Sequence, residues 1–157
     1  METLDRRTLV FGTASLIIAS AVPASAETKP SVRVAKTATC GCCSAWVDHM
    51  RANGFKVEAE NMAMGQLSRV KADAGIKPEL ASCHTAHVAG YTIEGHVPAA
   101  DVEKLLRQKP DAIGLTVPGM PIGSPGMEVG TERDAYDVLL IKRDGSTKVF
   151  TRYEAKS

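Results

Sequence analysis

The 157-residue sequence carries almost no net charge, because 19 basic and 18 acidic residues leave +1 at pH 7. No basic run is longer than two residues, so the chain lacks the positive patch typical of nucleic-acid-binding proteins. Internal repeats, low-complexity segments, a Ser-His-Asp order, a nucleotide-binding glycine pattern and paired carboxylates are also missing. These absences exclude nucleic acid as a partner and leave hydrolase activity without support.

Long hydrophobic runs are missing as well. The apolar stretch at residues 9–22 has 14 residues, fewer than the roughly 20 that a membrane-spanning helix needs. It follows Arg6 and Arg7 and precedes Pro-Ala-Ser-Ala at residues 23–26, the small-residue pattern that a signal peptidase recognises. We therefore predict an export signal at residues 1–26, cleavage after Ala26, a single domain at residues 27–157, and no stable membrane insertion after cleavage.

Two export routes are compatible with this signal. The segment Asp-Arg-Arg-Thr-Leu-Val at residues 5–10 resembles a twin-arginine signal, whose pathway carries folded proteins. A pair of arginines is equally typical of the general secretory pathway. Both routes deliver the mature chain to an oxidising compartment.

Hydrophobic periodicity predicts a mixture of strands and helices in the mature chain. The order is strand, helix, strand, helix, two strands, helix, and finally a loop and a hairpin, which indicates an α/β sandwich with a parallel first pair of strands. The predicted strands cover residues 31–36, 55–60, 84–88, 91–94, 138–141 and 147–150, with a hairpin turn at Asp144-Gly145, and the predicted helices cover residues 43–53, 66–74 and 98–108.

Cysteine is the most informative residue type. Three of the four cysteines lie in Cys40-Gly41-Cys42-Cys43, and the fourth is Cys83. Cys40 and Cys43 form a Cys-x-x-Cys pair between a predicted strand and a predicted helix, where the helix N-terminus favours a thiolate. This placement is typical of thioredoxin-like proteins. The pair therefore predicts either a reactive thiol or a metal ligand.

Three specific interpretations of the four cysteines are open. An even number of cysteines in an exported protein is compatible with two structural disulfides. A thiol-disulfide oxidoreductase would use Cys40 as the nucleophile and Cys43 as the resolving thiol. A single zinc ion is a third possibility, but the side chains of Cys42 and Cys43 diverge by roughly 100° on a helix. Such neighbours suit several ions bridged by thiolates better than one ion in a tetrahedron.

Soft sulfur ligands favour copper(I) over harder metals. Met120 and Met127 lie in a Gly/Pro-rich loop with no regular face that would bury them, so they are candidate thioether ligands, although methionine more often fills gaps in a core. His84 is a further candidate because it adjoins Cys83, but strand alternation directs it to the opposite face. His96 is predicted to orient the loop around it.

Four motifs occur together in this order. They begin at residues 40, 82, 91 and 117 and read Cys-Gly-Cys-Cys-Ser-Ala-Trp-Val, Ser-Cys-His-Thr-Ala, Tyr-Thr-Ile-Glu-Gly-His-Val-Pro and Val-Pro-Gly-Met-Pro-Ile-Gly-Ser-Pro-Gly-Met. Together they resemble the CopG-type periplasmic copper-handling proteins, a thioredoxin-like family distinct from the DNA-binding regulators of the same name. The resemblance covers nearly all of residues 31–153.

The resemblance implies a thioredoxin-like sandwich with a mixed sheet, extended by a C-terminal loop and hairpin. It also implies a periplasmic role in copper resistance, in which Cys40, Cys42, Cys43 and Cys83 hold a cysteine-bridged centre of several copper(I) ions with possible redox activity. Cys83 would then face the other three cysteines. The implied partners are copper ions and other periplasmic copper-resistance proteins, and the protein is expected to be a metal-binding protein rather than an ordinary enzyme.

Overall fold

A computed structural model describes residues 28–157, so the predicted export signal lies outside the described residues. None of the helices within this range is long and apolar enough to cross a membrane. The strands are β1 (Val32–Lys36), β2 (Val57–Asn61), β3 (Thr85–Val88), β4 (Tyr91–Glu94), β5 (Ala112–Thr116), β6 (Tyr136–Lys142) and β7 (Thr147–Tyr153). The helices are α1 (Gly41–Ala52), α2 (Met64–Asp73) and α3 (Ala99–Gln108), with a 3-10 turn at Pro78–Leu80.

The strands form one mixed sheet in the order β2-β1-β3-β4-β5-β6-β7. The pairs β1/β2 and β4/β5 are parallel, and the other neighbouring strands are antiparallel. The structure thus confirms the predicted α/β class, the mixed sheet, the parallel first pair of strands and the C-terminal hairpin. The hairpin extends the sheet at its β5 edge.

The core lies mainly between the sheet and helices α1 and α3. Trp46 and Met50 of α1 and Val102 and Leu105 of α3 are completely buried in the same cluster as the inward side chains of the strands. Met50 is therefore a core residue. On β5, Leu115 lies in this core, whereas the hydroxyl of its neighbour Thr116 donates to the carbonyl of Leu80 at 2.7 Å. Because neighbouring strand residues face opposite ways, both faces of the sheet are covered at this point.

Two differences from the sequence prediction have a clear physical reason. Helix α1 begins at Gly41 rather than Cys43, because the Cys40 sulfur accepts the Cys43 amide at 3.3 Å and caps the helix. Strand β5 was not predicted. It has no polar-apolar alternation, because it is buried on both faces in the middle of the sheet.

The hairpin of β3 and β4 brings distant motifs together. Its turn is formed by Ala89 and Gly90, which both have positive φ values, and Thr85 pairs with Glu94. The pairing continues beyond the strands, since the Gly95 amide donates to the His84 carbonyl at 3.0 Å. This register places Cys83 directly opposite His96.

Candidate metal centre

The four cysteine sulfurs lie within 4.8 Å of one another. Cys40 is the N-cap of α1, and Cys42 and Cys43 belong to its first turn. A disulfide joins Cys40 to Cys43, whereas Cys42 and Cys83 are free thiols. The Cys42 sulfur lies 3.5 Å from that of Cys40 and 3.8 Å from that of Cys83. The chain therefore folds so that a thiol 41 residues away in sequence completes the cluster.

Cys83 lies just before β3, in a segment without regular secondary structure. Its backbone carbonyl faces the Cys43 sulfur at 3.7 Å, so both its main chain and its side chain are turned towards α1. Partial burial, together with the neighbouring Cys42, raises the pKa of Cys83 to about 12. Without a cation nearby, this thiol is protonated at neutral pH.

Two histidines extend the cluster on the Cys83 side. The Cys83 sulfur lies 3.4 Å from Nδ1 of His84 and 2.9 Å from Nε2 of His96, and the three ligand atoms lie within 4.8 Å of one another. The prediction that His84 points to the opposite face was wrong. Strand alternation does not apply there, because β3 begins one residue later, at Thr85.

His96 is a residue whose proximity to the sulfurs the sequence analysis missed. Its Nδ1 lies 2.8 Å from the Pro125 carbonyl, which can only accept a hydrogen bond. Nδ1 therefore carries the hydrogen, and the neutral ring presents its Nε2 lone pair to Cys83. The predicted role in orienting a loop is compatible with the Pro125 contact. The signal for the missed contact was in the sequence, since a hairpin centred on Ala89-Gly90 pairs position 83 with position 96.

Burial governs the ionisation of both histidines. It lowers the pKa of His84 well below the usual value, helped by the charges on His96 and Lys71. Burial also lowers the pKa of His96, partly offset by the Pro125 carbonyl and by Glu128. Both rings are therefore neutral at pH 7, the form in which imidazole binds metals.

The loop that carries the two candidate methionines packs directly on α1. A side chain at Gly126 would lie 2.6 Å from the Cys42 carbonyl, so the loop backbone touches the helix turn that holds the cysteines. Met127 follows Gly126 and is half-buried, whereas Met120 is 52% exposed. The structure therefore places the Met127 end of the loop against the first turn of α1 and leaves Met120 open to solvent.

The remaining histidines have other contacts. His49 accepts the Ala99 amide at the start of α3 through its Nε2, at 3.1 Å. His87 lies further along β3 with its Nδ1 3.4 Å from the Thr92 hydroxyl. Neither belongs to the two groups of clustered ligand atoms found in residues 28–157.

The donor set suits a soft metal ion. Four sulfurs dominate the cluster, and thiolates favour copper(I), zinc or iron-sulfur clusters over hard cations. In addition, His84 Nε2 is the one buried side-chain nitrogen or oxygen in residues 28–157 that has no hydrogen-bond partner. Buried polar atoms are nearly always paired, so an unpaired one needs an explanation, such as an absent ion. The sulfurs and the His84 ring, whose Nδ1 lies 3.4 Å from the Cys83 sulfur, are compatible with a metal centre.

Comparison with known proteins identifies relatives of this chain. Residues 80–127 match the family model described as a protein of unknown function, DUF411. No curated protein matches the sequence. A solved structure described as copper resistance protein CopG, form 1, is 45% identical, with a TM-score of 0.76, over 80% of this chain and 98% of that one. Form 2 has the same identity and coverage, with a TM-score of 0.74. On the strength of these matches, the chain belongs to the family of the copper resistance protein CopG.

Proposed function

We propose that this protein is a periplasmic copper-binding protein of copper resistance, which holds several copper(I) ions in a cysteine-bridged centre. The observation that carries the proposal is the convergence of four cysteine sulfurs within 4.8 Å. The solved relatives, which are named as copper resistance proteins, support copper as the metal. The predicted export signal and its cleavage after Ala26 support a periplasmic location.

The ligands are Cys40, Cys42, Cys43 and Cys83. The disulfide between Cys40 and Cys43 must first take up two electrons and two protons from a dithiol reductant, which yields four thiols. Each thiol then releases its proton when it binds copper as a thiolate. Since neighbouring side chains in the first turn of α1 diverge, bridging thiolates that share several ions suit this cluster better than a single ion.

His84, Met120 and Met127 are proposed as additional ligands. His84 offers its Nδ1, 3.4 Å from the Cys83 sulfur, and Met127 follows the glycine that packs against the Cys42 carbonyl. Imidazole suits copper(II) as well as copper(I), so a nitrogen donor beside Cys83 supports a change of copper oxidation state at this site. Copper is then the substrate that the protein buffers, transfers or oxidises.

A copper(I) titration of the fully reduced protein under anaerobic conditions tests the proposal. We expect more than one equivalent to stay bound in competition with a moderate copper(I) chelator, and Cys42→Ser to lower that number. Ser44→Ala is a matched control, because Ser44 is exposed on the same helix and its hydroxyl contacts only the Cys40 carbonyl among the described residues. It should bind as much copper as the wild type.

The same variants distinguish the thiol-disulfide oxidoreductase. Exchange through Cys40 and Cys43 does not need Cys42. If the wild type holds no copper against the chelator and metal-free Cys42→Ser reduces insulin at the wild-type rate, the oxidoreductase replaces the copper proposal. If both variants bind copper as the wild type does, a cysteine-bridged centre is ruled out.

A further inference from the structure

The segment that presents Cys83 is held by a buried carboxylate. Glu94, the last residue of β4, is completely buried. Its Oε1 accepts the Ser82 amide at 2.7 Å, and its Oε2 accepts the Thr85 hydroxyl at 2.7 Å. Ser82 and Thr85 flank Cys83 and His84, so one side chain fixes the backbone on both sides of the two candidate ligands.

Glu94 is itself fixed by an ion pair. Lys71 of α2 places its ammonium nitrogen 2.6 Å from Glu94 Oε1 and 3.0 Å from the Thr85 hydroxyl. The Lys71 side chain is only 14% exposed, and that of Glu94 is not exposed at all. Charge-assisted hydrogen bonds of this kind are shorter and stronger than neutral ones. They give the carboxylate a defined orientation inside the protein.

The same segment also contacts the methionine loop. The Gly119 amide donates to the Ala81 carbonyl at 3.2 Å, and the Ser82 hydroxyl donates back to the Gly119 carbonyl. Gly95, next to Glu94, leaves no room for a side chain because Ser82 packs against its Cα. A shift of Ser82 would therefore move Cys83 and the loop that carries Met120 together.

We propose that Glu94 is a positioning residue, which sets the Cys83 sulfur within reach of Cys42 through its hydrogen bonds to Ser82 and Thr85. Residues 81–83 lie beyond the last backbone hydrogen bond of the β3/β4 hairpin, which joins Gly95 to His84, so strand pairing alone does not fix them. A buried ion pair is weak evidence for a contribution to stability, because desolvation offsets much of its attraction. The hydrogen bonds that Glu94 accepts from Ser82 and Thr85, on either side of Cys83, are a more specific reason for a buried carboxylate at this position.

A metal-free experiment tests this placement directly. In a protein with Cys40→Ser and Cys43→Ser, diamide oxidises Cys42 and Cys83, 3.8 Å apart, to a disulfide and takes up their two electrons and two protons. Glu94→Gln combined with Lys71→Met removes both charges without leaving one unpaired. We expect this double variant to slow the cross-linking at least fivefold, and Thr85→Val, which removes the single hydroxyl that donates to Glu94, to slow it less.

Asp101→Asn is the matched control. Asp101 is also a buried carboxylate with two hydroxyl donors, Thr151 and Tyr153, but it joins α3 to β7 and does not contact residues 81–85. It should leave the cross-linking rate within twofold of the parent even where it lowers the free energy of unfolding. All cross-linking rates are measured at a temperature well below the unfolding transition. A residue that only stabilises the fold then changes the unfolding curve and leaves the cross-linking rate unchanged.

The copper arm of the test rests on the proposed function. With all four cysteines present and reduced, the double variant should bind copper(I) at least tenfold more weakly than the wild type, and Asp101→Asn should match the wild type. If the wild type binds no copper, the proposed function fails, while the cross-linking still decides the role of Glu94. If the double variant and Thr85→Val both cross-link at the parent rate, Glu94 does not position Cys83.

Discussion

At the scale of single residues, His84 shows a conflict between stability and metal binding. Its ring is completely buried, and it packs on Trp46 with 4.5 Å between the ring centres. Its Nε2 has no hydrogen-bond partner among residues 28–157. Leaving such a group unpaired in the interior costs about 1–3 kcal/mol. A phenyl ring would be the more stable occupant of this position, and the presence of an imidazole there is compatible with the proposed role of His84 as a copper ligand.

Replacing His84 with Phe separates the two effects. The substitution keeps an aromatic ring against Trp46 and removes both nitrogens, so we expect the metal-free protein to keep its free energy of unfolding or to gain about 1 kcal/mol. Copper(I) affinity should fall. Denaturant unfolding and chelator competition measure the two quantities, and His87→Phe, on β3 away from the cluster, should leave copper binding unchanged. A destabilised His84→Phe protein with wild-type copper affinity would contradict this explanation.

The sequence predicted part of this site, and the part that it did not predict has a physical explanation. The Cys-x-Cys-Cys turn could be predicted from its place between a strand and a helix, whereas the approach of Cys83 to it was implied by the family resemblance alone. His96 and Glu94 could not be chosen from their local sequence, since a lone histidine or glutamate has no distinctive spacing. Their roles depend on the register of β3 and β4, which pairs Cys83 with His96 and Thr85 with Glu94.

At the scale of elements, the loop at residues 117–127 depends on glycines with different surroundings. Gly119 and Gly126 have φ values of +71° and +87°, which residues other than glycine rarely adopt. A Cβ on Gly119 would meet nothing within 4 Å, whereas one on Gly126 would lie 2.6 Å from the Cys42 carbonyl and 2.8 Å from the Trp46 amide. Only Gly126 is needed for the close packing of the loop on α1.

Alanine at the two positions should therefore have unequal effects. Gly119→Ala introduces backbone strain of about 1–2 kcal/mol. Gly126→Ala adds a steric clash to similar strain, so its free energy of unfolding should fall further, and the displaced loop should weaken copper binding. Urea unfolding of the two metal-free variants measures the loss of stability, and competition with a copper(I) chelator measures the loss of copper binding. Equal losses of stability in the two variants would show that the loop does not pack on α1 as the structure describes.

Elements with a clear period were the ones that could be predicted. The alternation of β1 and the apolar stripe of α3 each show which face is buried, and both elements were placed to within about one residue. Strand β5 was not predicted, because its Ala-Ile-Gly-Leu-Thr sequence is buried on both faces and carries a glycine in its middle. Gly114 is required there by its contact with the Thr92 backbone across the β4 pair, a tertiary constraint with no local signature.

At the scale of the whole molecule, the C-terminal hairpin is part of the main sheet. Strand β6 pairs with β5 and contributes Val138 and Ile141, both completely buried. Strand β7 is held to α3 by the hydroxyls of Thr151 and Tyr153, which donate to Asp101. The hairpin therefore covers an edge that would otherwise expose β5 and part of the core.

Deleting residues 135–157 should unfold the protein rather than release an intact smaller domain. Burial of one large aliphatic side chain contributes about 1.5–3 kcal/mol, and the hairpin supplies two, Val138 and Ile141, against a total stability that is typically about 5–15 kcal/mol. We expect loss of the cooperative thermal transition in far-ultraviolet circular dichroism, together with binding of a hydrophobic dye. A truncated chain that melts cooperatively and holds copper would show that the hairpin is dispensable.

The contact between Trp46 and His84 gives the molecule its own optical reporter. Trp46 is the single tryptophan in the sequence, and its indole is held in place by a 2.8 Å hydrogen bond from Nε1 to the Val97 carbonyl. Its emission therefore comes from one site, in van der Waals range of a candidate ligand and one helical turn from Cys42 and Cys43. We therefore expect copper binding at the proposed centre to quench the intrinsic fluorescence of Trp46, so that the titration needs no added dye.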